Sequence, residues 1–162
     1  SEIESKIFRT LEDAVAWREK MRKNGKTVSL TNGCFDILHR GHAEYLMSAR
    51  ALGDSLIVLM NSDASVRALK GPTRPVNTED NRAFLLACLS FVDAVLIFDS
   101  QRCDREIAAL RPDAYAKGGD YTIEKLDKDE RAALLASGTK ISFIPFVDGL
   151  SSSSIIAKSN SK

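Results

Sequence analysis

Short apolar runs alternate with amphipathic stretches along the whole chain. Thr27 to Thr31, Ser55 to Met60, Ala94 to Phe98, Ala114 to Ala116 and Lys140 to Phe146 are bounded by polar or glycine-containing segments. Runs of this length and boundary predict buried strands of a parallel sheet. Between them, helical spacing predicts segments from Thr10-Leu11-Glu12-Asp13 to the stop at Asn24-Gly25, Ala43 to Leu52, Ser62 to Leu69, Glu79 to Phe91, Gln101 to Leu110, a helix around Glu130 to Leu135 ended by Gly138, and Ser152 to Lys158. Gly71, Pro72 and Pro75 exclude regular structure from the 70–75 loop. Repeated strand–helix alternation implies right-handed crossovers, so the expected fold class is α/β, a doubly wound, Rossmann-like parallel sheet with helices on both faces. One domain is expected over residues 1–162, with 1–26 as an N-terminal helix and lead-in and 158–162 as a frayed tail.

Composition narrows the function classes. The chain has 44% hydrophobic and 28% charged residues with a net charge of +1, ordinary for a soluble globular protein. No broad basic field supports nucleic-acid binding. No apolar run approaches the roughly 18 residues of a membrane helix, and no signal-peptide pattern opens the sequence. The three cysteines, Cys34, Cys88 and Cys103, are scattered and odd in number, which suits free thiols in a reducing cytoplasm.

The chemistry concentrates in Thr31-Asn32-Gly33-Cys34-Phe35-Asp36-Ile37-Leu38-His39-Arg40-Gly41-His42. This segment holds the only two histidines of the chain, between a strand pattern and a helix pattern. Unpaired amides at a helix N-terminus favour anions, and imidazoles there can donate to phosphate oxygens while staying near neutral. A surface accident, a helix cap or half of a metal site are the alternatives. No further histidine and no CxxC spacing supply the other ligands of a zinc site.

Other unusual segments fall at the same edge, after successive strands, where doubly wound sheets bind ligands. Asn61-Ser62-Asp63 could cap a helix or touch a ribose or metal. Lys117-Gly118-Gly119-Asp120 could be a tight turn or let backbone approach a ligand. The run Ser151-Ser152-Ser153 could be a linker or a second phosphate contact. Lys70 and Arg82 read equally as solvated surface charges.

In that order and spacing, these segments resemble the cytidylyltransferase-like nucleotidyltransferases. Asn61-Ser62-Asp63-Ala64-Ser65-Val66-Arg67, Leu69-Lys70-Gly71, Arg74-Pro75-Val76-Asn77 and Lys117-Gly118-Gly119-Asp120-Tyr121 are similar to the branch acting on D-glycero-β-D-manno-heptose 1-phosphate. The resemblance implies transfer of AMP from ATP to a sugar 1-phosphate with release of pyrophosphate. It implies His39, His42 and Lys70 as catalytic residues. Nucleotide and phosphates would be bordered by Thr31, Asn32, Gly33, Cys34, Phe35, Asp36, Gly41, Lys117, Gly118, Gly119, Asp120 and Ser151 to Ser153. Asn61, Asp63 and Arg82 would serve the acceptor side. Mg²⁺ held mainly by the nucleotide is expected as cofactor, and a sugar kinase, fused upstream in many relatives, as a separate pathway partner. A homo-oligomer is also expected. Where the cytidine enzymes carry an Arg-Thr pair this chain has Phe146-Val147, so ATP is expected over CTP. A cytidylyltransferase using glycerol 3-phosphate and a non-catalytic nucleotide-binding module are the rival readings.

Overall fold

A computed structural model describes residues 1–119, 121–145 and 156. Its elements in chain order are β1 (Ile7–Phe8), α1 (Leu11–Lys23), β2 (Val28–Gly33), α2 (Arg40–Arg50), β3 (Ser55–Asn61), α3 (Asp63–Lys70), α4 (Glu79–Cys88), β4 (Ala94–Phe98), α5 (Asp104–Leu110), β5 (Ala114–Gly118), α6 (Lys128–Ala136) and β6 (Lys140–Ile144). The strands form one sheet in the order β1-β4-β3-β2-β5-β6, and every pairing is parallel. From β2 the chain winds outward through β3 to β4, then returns to place β5 on the other side of β2. The order therefore reverses between β2 and β5, and the carboxyl ends of those strands open a crevice.

Strand alternation sorts the core into two layers. Leu56, Val58 and Met60 of β3 join Tyr45, Leu46 and Ala49 of α2 and Ala83, Leu86 and Ala87 of α4. Ile57 and Leu59, facing the other way, join Ala14 of α1, Ile107 and Leu110 of α5 and Leu134 of α6. Burial on both faces explains why β3 reads as a continuous apolar run.

Several boundaries depart from the sequence expectation for identifiable reasons. β1 is a two-residue edge strand beside β4, too short to show periodicity. α2 begins at Arg40 rather than Ala43, because the His39 side chain caps it where Ser, Thr, Asn or Asp is usual. α4 stops at Cys88 rather than Phe91: Leu89 turns extended and the fully buried Val92 enters the core. α5 starts at Asp104 rather than Gln101, since the Cys103 amide is bonded to Glu130 Oε2 of α6. Lys117 and Gly118 are strand residues paired with Phe143 and Ile144, not part of a turn. The helix expected at Ser152 to Lys158 and the tail at 158–162 lie outside the described residues, Ile156 excepted.

Candidate active site

The turn after β2 is built around a backbone conformation few side chains adopt. Phe35 has a φ of +48°, a left-handed value that turns the chain sharply out of the strand. Its ring folds back over Gly33, where an added Cβ would stand 2.9 Å from Phe35 Cε2, so this position admits only glycine without movement. The same ring meets His42 edge-on at a centroid distance of 5.3 Å, and His42 stacks on His39 at 3.9 Å. Sequence spacing alone put the two imidazoles near each other; the phenylalanine fixes their planes.

The histidines sit at the N-terminus of α2. His39 Nδ1 accepts from the Gly41 amide at 3.1 Å, which assigns the proton of the neutral ring to Nε2. His39 Nε2 and His42 Nδ1 are both buried without a hydrogen-bond partner. An orphaned buried polar atom costs about 1–3 kcal/mol, a penalty that a ligand in the crevice would relieve. Burial holds the His39 ring below its ordinary pKa. His42 is pushed down to about 4, first by burial and then by the charges of His39 and Lys70, with the nearby Ile37 backbone opposing them. At pH 7 the His42 ring is neutral, and burial favours the neutral form of His39 as well.

That shift has a consequence for stability. Between the ordinary value of 6.5 and about 4, the unfolded chain binds a proton at His42 that the folded chain refuses. The resulting stability is present above pH 6.5 and lost as pH falls toward 4. The melting temperature should therefore drop between pH 7.5 and pH 5, and drop less in a His42→Gln variant; equal drops in both proteins would remove His42 as the cause.

Beneath the histidines lies a charged lattice. Arg82 is 1% exposed. It donates to the carbonyls of Asn77, Cys34 and Asn61 at 2.9, 2.8 and 2.8 Å, and to Asp63 Oδ1 at 2.7 Å. One guanidinium thus ties together the ends of β2 and β3, the start of α3 and the 70–77 loop. Asn61 donates to Ser65 Oγ, and Ser62 caps α3. The expected acceptor-side trio of Asn61, Asp63 and Arg82 is accordingly a mutual network under the crevice floor. Arg82 in particular has four of its five donors engaged within the protein.

Asp36 holds the neighbouring loop. It accepts from Arg74 Nε at 2.7 Å and from the amides of Val76 and Asn77 at 2.9 and 3.0 Å. Burial pushes its carboxyl up, but the Asn77 amide, Arg74 and the Val76 amide outweigh it, and the net pKa lies below the usual value. Its charge is held in place by these donors, and it anchors the 74–77 loop to the turn after β2. Thr31 is similarly committed: its hydroxyl bonds the Tyr45 hydroxyl and donates to the Ala116 carbonyl beneath α2. Neither residue presents a free polar atom to the crevice.

The remaining expected residues border the opening. Lys70 ends α3 and is exposed, near enough that its charge acts on both His42 and Cys34. Cys34 lies beside Asn61 at 3.9 Å, and burial pushes its thiol pKa up despite the cations around it. Asn32 accepts from the Tyr115 hydroxyl at 2.9 Å, fastening the end of β2 to β5. Gly41 lies in the first turn of α2. At the end of β5, Gly119 has a φ of +96° and donates to Ile144, and Lys117 Nζ lies 4.8 Å from the Tyr121 ring centre. Asp120 and Ser151, Ser152 and Ser153 lie outside the described residues. The sequence reading missed Arg74 as a site residue, although its loop was quoted; only its contact with Asp36, from another part of the chain, reveals it.

No group of three His, Cys, Asp or Glu side chains is placed to hold a metal ion among the described residues. Asp36 and Asp63 are both paired with arginines. This donor set fits a cation carried by phosphate oxygens and water better than one caged by protein. No helix among the described residues is long and apolar enough to cross a membrane.

Comparison with known proteins agrees with the geometry. The chain is 51% identical over 146 residues to the bifunctional protein HldE of Shewanella denitrificans, covering 90% of this chain and 30% of that protein. It is 49% identical over 141 residues to the bifunctional protein HldE of Syntrophotalea carbinolica, covering 86% of this chain and 28% of that one. The chain thus spans under a third of the length of these relatives. A crystal structure of the lipopolysaccharide core biosynthesis protein from Thermoplasma volcanium superimposes with a TM-score of 0.61 at 27% identity, over 76% of this chain and 98% of that one. Pantoate-beta-alanine ligase from Francisella tularensis shares the fold, with a TM-score of 0.61 at 16% identity over 96% of this chain and 73% of that one. The cytidylyltransferase-like family model matches residues 30–158, from within β2 through the histidine turn and onward, and the chain belongs to that family.

Proposed function

We propose that this domain is a nucleotidyltransferase that moves AMP from ATP to a sugar 1-phosphate, D-glycero-β-D-manno-heptose 1-phosphate, releasing pyrophosphate. The observation that carries the reading is the stacked histidine pair at the N-terminus of α2, with two buried nitrogens lacking partners at the switch point of the sheet. The heptose acceptor is supported by identity of about half to the two HldE proteins over most of this chain. A sugar kinase acting upstream belongs to the same proposal.

An acceptor phosphate oxygen attacks the α-phosphorus of ATP, the bond to the bridging oxygen breaks, and pyrophosphate leaves with that electron pair. The step demands in-line placement and stabilisation of charge spread over the transferring group. His39 would donate from Nε2 to a phosphate oxygen. His42, held between His39 and Phe35, would approach the same group from the next turn of helix. The N-terminus of α2 would add its partial positive charge. Mg²⁺ would be held mainly by the triphosphate and would neutralise part of its charge. Lys117, Gly118 and Gly119 would border the nucleotide from β5.

Turnover measured by pyrophosphate release, with ATP and CTP each against heptose 1-phosphate, tests the proposal. A higher kcat/KM with ATP is expected. The basis is Phe146-Val147, which lack the fixed donor that selects a cytosine edge. Higher kcat/KM with CTP would overturn the adenylyl assignment, and nucleotide binding without turnover would overturn the enzyme.

Lys70→Ala should cut kcat/KM for the sugar phosphate at least tenfold while nucleotide binding changes much less. Lys70 is exposed at the end of α3, and an ammonium there would shield two phosphates as they approach. Unchanged turnover in this variant would make Lys70 a solvated surface charge.

A further inference from the structure

Arg74 carries a donor edge that its own partner leaves open. A guanidinium and a carboxylate usually close two parallel hydrogen bonds. Here Arg74 Nε donates to Asp36 Oδ2 at 2.7 Å, but Asp36 Oδ1 is taken by the amides of Val76 and Asn77 at 2.9 and 3.0 Å. The second bond cannot form, and Arg74 Nη2 is buried with no partner. The side chain is only 13% exposed, so water does not freely satisfy it. Only three other buried side-chain atoms of the described residues share this condition, and two of them are His39 Nε2 and His42 Nδ1. Asp36 lies in the turn that carries both histidines, and the charge of Arg74 reaches Cys34 in that turn together with those of Lys70 and Arg82. The unsatisfied nitrogens therefore belong to one neighbourhood, around a space suited to an anion.

We propose that Arg74 is a phosphate-binding residue of this crevice, its Nη2 receiving a phosphate oxygen while Asp36 fixes the guanidinium plane. It takes the role that sequence reading gave to Arg82, whose donors are engaged inside the protein. The proposal rests on the nucleotidyl-transfer reading for the source of the anion, which is either the pyrophosphate portion of ATP or the phosphate of the acceptor. The 74–77 loop, clamped by Asp36 to the histidine turn, then sets the distance between Arg74 and the imidazoles. Lysine cannot substitute, because a single ammonium facing Asp36 offers no second, rigidly placed donor edge.

The test compares wild type with Arg74→Lys and Arg74→Gln in calorimetric titrations with inorganic pyrophosphate and with a hexose 1-phosphate. Both variants are expected to lose at least tenfold in affinity for one of the two probes, and that probe identifies the source. The side-chain Nε signal of Arg74 in the ¹⁵N spectrum of the unmodified protein should shift on adding the same probe. This second measurement decides the matter if either variant fails to fold. Wild-type affinity of folded Arg74→Lys for both probes, or an Arg74 signal unmoved at saturating probe, would overturn the proposal. Loss of probe binding in a protein that never forms ADP-heptose would leave Arg74 as a phosphate ligand and refute the transfer reading instead.

Discussion

His42→Ala should lower turnover of ATP with heptose 1-phosphate by about a hundredfold or more, and His39→Ala by a similar factor. One preorganised donor to a developing oxyanion contributes roughly 3 kcal/mol to the barrier, and what makes a donor preorganised is visible here. His39 is locked by the Gly41 amide on Nδ1. His42 is held between two rings, at 3.9 Å from His39 and 5.3 Å from Phe35. Neither ring must reorient when the transition state forms. The two variants separate on stability. His39→Ala also removes the cap of α2, a loss of about 1 kcal/mol, whereas His42→Ala removes a desolvated ring that folding disfavours when charged. Pyrophosphate-release kinetics paired with urea unfolding on both variants checks this. Turnover within a few-fold of wild type in a folded variant would remove that histidine from the chemistry.

The histidine turn was legible in the sequence because the residue types that mark it are local. Glycine, polar amide and imidazole had to lie between a strand and a helix, and all fit in one short segment. The strands of the central sheet were legible for the same reason, since two-sided burial leaves a continuous apolar run. Arg82 was not. An arginine in the first turn of a helix rich in polar residues reads as surface charge, and only the convergence of Cys34, Asn61, Asp63 and Asn77 from three other segments makes it a buried hub. Arg74 was hidden in the same way by its dependence on Asp36. The helix cap by His39 stood in the sequence only as an alternative, because the side chain doubles as a candidate phosphate donor and caps favour smaller polar residues. Residues whose role comes from long-range partners are those that local spacing misassigns.

Arg82→Met should lower unfolding stability by about 3–5 kcal/mol, a larger loss than any crevice-facing substitution will produce. The methionine preserves much of the apolar stem but leaves three backbone carbonyls without donors. Those of Cys34, Asn61 and Asn77 currently receive bonds of 2.8 to 2.9 Å. Each orphaned carbonyl that water cannot reach costs about 1–3 kcal/mol. Asp63 loses its 2.7 Å partner too, though its side chain is 24% exposed and water recovers part of that interaction. Arg82→Lys should recover little, since one ammonium cannot span four acceptors spread over the ends of β2 and β3, the start of α3 and the 70–77 loop. A residue that bound the acceptor phosphate would behave in the opposite way: the lysine variant would raise KM for the sugar phosphate and leave the urea midpoint near wild type. Chemical unfolding and acceptor KM on the same two variants therefore distinguish a scaffold from a ligand. A stability change under about 1 kcal/mol in Arg82→Met would show that the buried guanidinium contributes no more than its surface counterparts do.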